Sequence, residues 1–118
     1  MATILVAEDN DSNYLLLSCM LRKKYELARA INGIEAIEKY RELKPNLILM
    51  DIRMPEMDGL EATVSIRKED TNIPIIALTA HAFDEDRKKA IEAGCNEFLT
   101  KPVNLKLLNE VLAKFIGE

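Results

Sequence analysis

Leu47-Ile48-Leu49-Met50-Asp51 is a run of four apolar residues ending in a carboxylate, with Lys44-Pro45-Asn46 before it and Met54-Pro55 after it. An unbroken apolar run bounded by turn-forming residues reads as a strand buried on both faces. Its last residue then lies at the rim of a sheet. In open parallel sheets ligands bind at the carboxyl ends of the strands, so Asp51 is a candidate for chemistry. Asp also starts turns, and for this one acid that plainer reading stands equally well. What separates the two is whether other residues converge on the same rim.

Working outward, Thr3-Ile4-Leu5-Val6-Ala7 is a second apolar run that ends in acids, Glu8-Asp9. Asn10-Asp11-Ser12 are helix-capping residues, and a first helix follows with Asn13, Leu16, Leu17, Met20 and Leu21 on its inner face, ending near Arg22-Lys23-Lys24. Tyr14, Leu15 and Cys19 are left facing outward. Tyr25 to Ala30 reads as a strand near an edge because it carries charges. After the Asn32-Gly33 turn, Ile34 to Leu43 forms a helix with Ile34 and Ile37 inward and Tyr40 or Leu43 beside them.

Beyond the central strand, Asp58-Gly59 opens a helix to about Lys68 with Leu60 and Val64 as apolar contacts, joined by Thr63 and Ile66. Pro74 to Thr79 is a buried strand with its proline at the tolerated first position. A helix over about Asp84 to Ala93 stops at Gly94. Glu97-Phe98-Leu99 is a short strand ending at Thr100-Lys101-Pro102. Leu105 to Ile116 is a last helix, with Leu105, Leu108, Val111, Leu112 and Phe115 inward. Five strands alternating with five helices through short connections predict an α/β domain, a parallel five-stranded sheet covered on both faces.

Length and charge narrow the function. The 118 residues predict one domain spanning 1–118, with no segment left for a separate output domain. Hydrophobic residues are 48% and charged residues 31% of the chain, an ordinary globular balance without a membrane span or a signal-peptide pattern. A cytoplasmic protein is the expectation. Twenty acidic residues against sixteen basic give a net charge of -4, which argues against a nucleic-acid surface. Cys19 and Cys95 are too few and too unpatterned for a disulfide framework or a metal knuckle.

Because parallel strands all point one way, Glu8, Asp9, Asp51, Thr79 and Lys101 gather on one rim. Clustered carboxylates repel one another and raise their own pKa values unless a cation neutralises them. Mg²⁺ suits them, since it takes oxygen ligands and binds one or two carboxylates beside a phosphoryl oxygen. Mn²⁺ is the alternative ion. Lys101 supplies a positive charge and Thr79 a hydroxyl, both groups that a phosphoryl oxygen accepts from. The set suits transfer of a phosphoryl group to a carboxylate.

Glu-Asp after the first strand, Asp-Ile-Arg-Met-Pro-Glu-Met-Asp-Gly around the third, Ala-Leu-Thr-Ala after the fourth and Thr-Lys-Pro after the fifth closely resemble the receiver domain of two-component response regulators. The resemblance covers essentially the whole chain. It implies a single doubly wound (βα)5 flavodoxin-like domain with strand order 2-1-3-4-5. Asp51 would be the phosphoacceptor, and Glu8, Asp9, Asp51 and the backbone carbonyl of Arg53 would hold the metal. Lys101 would pair with the phosphoryl group, Thr79 would be the switch hydroxyl and Phe98 the switch aromatic. The resemblance also implies a cis Lys101-Pro102 bond. Glu8 is one methylene longer than the usual Asp, and Phe98 lacks the hydroxyl of the common Tyr.

Glu8-Asp9-Asn10 with Asn13 further along, and Leu78-Thr79-Ala80-His81-Ala82, resemble receivers attached to hybrid sensor kinases. That resemblance implies a histidine kinase or a histidine-phosphotransfer domain as partner, with a hybrid kinase as the covalent setting. No nucleic acid and no membrane contact are expected. Arg53 and His81 would tune phosphate lifetime, and Tyr14 with Leu15 would dock the partner. The expectation is a signalling domain with phosphoacceptor and autodephosphorylation chemistry rather than a turnover enzyme. A Mg²⁺-dependent phosphatase of haloacid dehalogenase type also uses a strand-end Asp, but its motif needs a second Asp where Arg53 stands. A flavin carrier fits the topology, yet Glu8-Asp9-Asn10 would repel a phosphate rather than cradle it.

Overall fold

The computed structural model describes residues 1–80 and 84–117. Its elements run β1 (Thr3–Ala7), α1 (Asp11–Leu21), β2 (Glu26–Ala30), α2 (Gly33–Leu43), β3 (Leu47–Asp51), α3 (Gly59–Glu69), β4 (Ile75–Thr79), α4 (Asp84–Ala93), β5 (Glu97–Thr100) and α5 (Leu105–Ile116). The strands form one parallel five-stranded sheet in the order β2-β1-β3-β4-β5. This is the doubly wound arrangement expected, with β2 at an edge.

Alternation along the strands divides the core in two. Ile48 and Met50 of β3 join Leu5, Ile37, Ile66 and Ile75 on one face. Leu47 and Leu49 join Ile4, Leu17, Leu78 and Leu108 on the other. All five residues of β3 are buried, so the strand carries no polar residue until Asp51. Four helices start on a side-chain cap: Asn10 on the Asn13 N–H, Asn32 on Glu35, Asp58 on Glu61 and Asn104 on Leu107. Gly94, with φ +117°, closes α4 in a backbone region that L side chains rarely adopt.

The helix spans agree with the sequence, but several inward assignments do not. Ile34, Val64 and Leu105 are 45%, 45% and 46% exposed, and Leu16 is 43% exposed. Ala36 and Ala62 are buried in the stead of the first two, while Thr63 and Ile66 are buried as expected. Small residues lie against the sheet because the helices approach it closely, while larger neighbours are left at the rim of the contact. In α1 the four consecutive apolar residues Tyr14-Leu15-Leu16-Leu17 offer several adjacent stripes, and the packed one runs through Tyr14, Leu17 and Leu21.

One interhelical bond gives a stability test away from the strand ends. The buried Tyr40 hydroxyl donates to Asp70 Oδ2 at 3.0 Å, and Asp70 Oδ1 accepts from Asn72 N at 2.8 Å and Ile73 N at 3.0 Å. Those backbone donors, led by Asn72, hold the Asp70 carboxyl below its ordinary value of 3.8. A depressed carboxylate pKa stabilises the fold above the unfolded value and loses that contribution as pH falls through the folded one. Tyr40→Phe is expected to cost about 1 kcal/mol in urea unfolding at neutral pH. The loss should shrink below the ordinary Asp range; an unchanged loss there would show that the bond is not to a charged carboxylate.

Candidate functional site

Three strand ends deliver acids and a base to one point. β1 ends at Ala7, and the Glu8 N–H continues its ladder onto Ala30 O at 2.9 Å. This aims the Glu8 side chain under the rim, where it is fully buried. Asp9 follows in solvent, and Asp51 at the tip of β3 is 4% exposed. One oxygen each of Glu8, Asp9 and Asp51 lie within 4.8 Å of one another. Lys101 arrives after β5, its N–H donating to Thr79 O at 2.7 Å. Its Nζ lies 2.9 Å from Asp51 Oδ2 and 2.5 Å from Glu8 Oε1.

The second Asp51 oxygen, Oδ1, accepts from the Arg53 N–H at 3.0 Å. Glu8 Oε2 accepts from Asn10 N at 3.2 Å. Among the described residues Glu8 Oε1, though buried and close to Lys101, takes part in no hydrogen bond of good geometry. Burial pushes the Glu8 carboxyl up to about 7; Lys101 pulls against the rise and the Asp51 carboxylate adds to it. Burial also opposes the charge on Lys101, but Glu8 and Asp51 outweigh it and hold the ammonium above its ordinary value.

A buried, under-bonded carboxylate oxygen beside two further carboxylates is a donor set for a hard divalent cation. Asp9 opens onto a surface cleft shared with Ile52, Arg53, Met54, Pro55 and Asp58, which leaves room for the waters such an ion keeps.

Thr79 ends β4 and is 1% exposed. Phe98 on β5 is half-buried against the core beneath α2, α3 and α4. The Lys101-Pro102 bond is cis. The Arg53 side chain, 64% exposed, extends to Asp86 Oδ1 on α4 at 3.7 Å. His81 lies outside the described residues. Leu15 is 60% exposed, facing outward as expected. Tyr14 is not: it is half-buried against the core, with the Arg29 guanidinium 4.6 Å from its ring centroid. In the sequence Arg29 stands out only as an edge-strand charge. No local pattern ties it to Glu8, 21 residues earlier, whose carbonyl it bonds.

The model of the response regulator receiver domain matches residues 4–113. The chain is 44% identical, over 98% of its length, to hybrid signal transduction histidine kinase I of Dictyostelium discoideum, and it spans 7% of that kinase. It is similar, at TM-score 0.92 and 38% identity, to the receiver domain of a Pseudomonas aeruginosa sensor histidine kinase, covering 99% of this chain and 98% of that one. That receiver has a magnesium ion coordinated in its active site cleft. At TM-score 0.90 and 35% identity it is similar to the receiver domain of a Saccharomyces cerevisiae response regulator, in co-crystals with a histidine phosphotransfer signaling protein; 97% of this chain and 88% of the other are covered.

Proposed function

The chain belongs to the response regulator receiver family, and from that premise we propose that Asp51 accepts a phosphoryl group from the phosphohistidine of a partner protein. The observation that carries this reading is the convergence of Lys101 Nζ on Asp51 at 2.9 Å and on Glu8 at 2.5 Å, beside Asp9. Glu8, Asp9, Asp51 and the Arg53 carbonyl would hold Mg²⁺, with Mn²⁺ as a substitute. When bound, the ion supplies positive charge that offsets the carboxylates and the incoming phosphoryl oxygens.

The chain's own groups do the rest. The Arg53 N–H and Lys101 fix the Asp51 carboxylate from two sides and so present it to the donor. An Asp51 oxygen bonds to phosphorus as the phosphorus–nitrogen bond to the partner imidazole breaks, and the imidazole nitrogen leaves with the electron pair. Lys101 then exchanges a carboxylate oxygen for a phosphoryl oxygen, and the Thr79 hydroxyl donates to another. Thr79 movement draws Phe98 further inward, and the surface formed by α4, β5 and α5 changes with it. Arg53 and His81 set how fast water removes the phosphoryl group.

Residues 1–118 act as one receiver unit, a signalling domain rather than a turnover enzyme. Its donor is a histidine kinase or a histidine-phosphotransfer domain, which meets the exposed Leu15 on α1. The high identity to a hybrid kinase receiver favours the covalent setting of such a kinase. No helix among the described residues is long and apolar enough to cross a membrane. A haloacid dehalogenase-type phosphatase is disfavoured because Arg53 stands where the leaving-group acid is needed.

The test is intact mass after incubation with Mg²⁺ and a small phosphodonor such as acetyl phosphate: a gain of one phosphoryl group is expected, and none would overturn the reading. A pH dependence accompanies it. Glu8 is raised from 4.5 to about 7, so ionised Glu8 destabilises the metal-free fold increasingly as pH climbs through that range. Below about 7 a cation must also displace the Glu8 proton. The rise in Tm on adding Mg²⁺ is therefore expected to be larger at pH 8 than at pH 6. Equal rises would remove Glu8 from the metal site.

A further inference from the structure

We infer that Arg29, on the edge strand, is a positioning residue for the metal site, fixing the backbone from which Glu8 and Asp9 extend; this rests on the proposed Mg²⁺ reading. The β1–β2 ladder runs from Thr3↔Glu26 to Ala7↔Ala30, and its last bond takes the Glu8 N–H onto Ala30 O. Past that bond the chain turns away and the next carbonyls lose their strand partners. Arg29 supplies substitutes. Its Nε donates to Glu8 O at 3.0 Å and its Nη2 to Asp9 O at 3.3 Å. The same Nη2 lies 2.9 Å from Asp11 Oδ1. The guanidinium plane also covers the Tyr14 ring, 4.6 Å from its centroid.

All four partners belong to one short segment, residues 8 to 14, and two are consecutive main-chain carbonyls. A guanidinium is the side chain that can do this, because its donors form a rigid planar fork that also stacks on aromatic faces. A lysine would offer one point of charge. Leu27 precedes Arg29 by two residues, on the same face of β2, and packs into the α1–α5 side of the core. The arginine stem therefore leaves the sheet toward α1, which brings the fork to the loop.

The consequence falls on Asp9. Its carboxylate is exposed while that of Glu8 is buried, so its direction depends on the main chain that Arg29 holds. Without the fork, the loop samples conformations that turn Asp9 away from Asp51, and the cation must pay to select the binding one. Charge works the other way, since a cationic residue near a cation weakens binding. Here the guanidinium is compensated by Asp11 and two carbonyl dipoles, so positioning outweighs repulsion. The two effects have opposite signs in experiment.

Mg²⁺ affinity is measured by titration calorimetry on wild type, Arg29→Met, Arg29→Lys, Asp9→Asn and Arg41→Met. Positioning predicts that Kd rises about tenfold or more in Arg29→Met, the range for groups that orient metal ligands, and by a smaller factor in Arg29→Lys. A Kd in Arg29→Met equal to or below that of wild type overturns the inference, and tighter binding would assign the residue to repulsion. Arg41→Met removes a bidentate pair with Glu69 between α2 and α3, so it lowers stability far from the strand ends and should leave Kd unchanged. If it shifts Kd as Arg29→Met does, the effect is general loosening and the inference fails. Should Arg29→Met not fold by circular dichroism, Arg29→Lys decides: a Kd above wild type supports positioning, an equal or lower one overturns it. Wild type that binds no Mg²⁺, or an Asp9→Asn that binds as wild type does, would sink the metal reading itself.

Discussion

Asp51→Asn is expected to abolish phosphorylation: with Mg²⁺ and acetyl phosphate the wild type gains one phosphoryl group by intact mass, and the variant gains none. The amide keeps the shape and its one oxygen can still accept from the Arg53 N–H, while Lys101 keeps its pairing with Glu8, so the variant should fold. What it loses is the anionic oxygen that bonds to phosphorus. It also lowers the negative charge facing Lys101, which lies 2.9 Å from Asp51 Oδ2 and 2.5 Å from Glu8 Oε1. Stability is therefore expected to be retained or raised, because a buried like-charge contact between Glu8 and Asp51 is relieved. Phosphorylation of the variant to the wild-type level would move the acceptor elsewhere; a variant that is silent and unfolded would be uninformative about chemistry, and circular dichroism separates the cases.

Gly59→Ala is expected to destabilise the protein by about 3 kcal/mol and to disturb the metal site with it. Gly59 begins α3 and lies directly beneath the end of β3. A Cβ there would land on the Asp51 carbonyl oxygen, 2.8 Å from Met50 Cγ and 2.9 Å from the Asp51 carbonyl carbon. Backbone of a central strand cannot yield as the tip of a flexible side chain could. Helix propensity alone predicts the opposite sign, a gain of about 1 kcal/mol for Ala over Gly. Urea unfolding therefore decides between them. A stable variant with wild-type Mg²⁺ affinity would show that α3 can withdraw from β3 without moving Asp51.

Much of the site could be read along the chain because each element is local. An apolar run ending in an acid states both that a strand is buried and where its chemistry emerges, and Glu8-Asp9 and Asp51 were legible in this way. Thr79 and Lys101 followed because parallel strands all end at one rim. The capping residue Asn10 and the helix-opening Asp58 marked helix starts for the same reason, as each bonds a backbone N–H three residues on.

Helix faces were less legible. Ile34, Val64, Leu16 and Leu105 satisfied an apolar spacing and still lie at the surface, since a spacing fixes the relative angle of side chains but not the rotation of the helix on its sheet. Tyr14 was expected outward for that reason and is found beneath Arg29.

By itself, then, the sequence determined the order of elements, the parallel sheet and the identity of the groups at its rim, because those follow from short-range periodicity and from the direction shared by parallel strands. Only the tertiary structure decided which helix stripes are buried, that Lys101 bridges Glu8 and Asp51, and that Arg29 holds the acidic loop. Those contacts join residues 50 positions apart in Lys101–Asp51 and 21 in Arg29–Glu8, and they depend on strand twist, helix rotation and side-chain reach, none of which leaves a periodic trace in the chain.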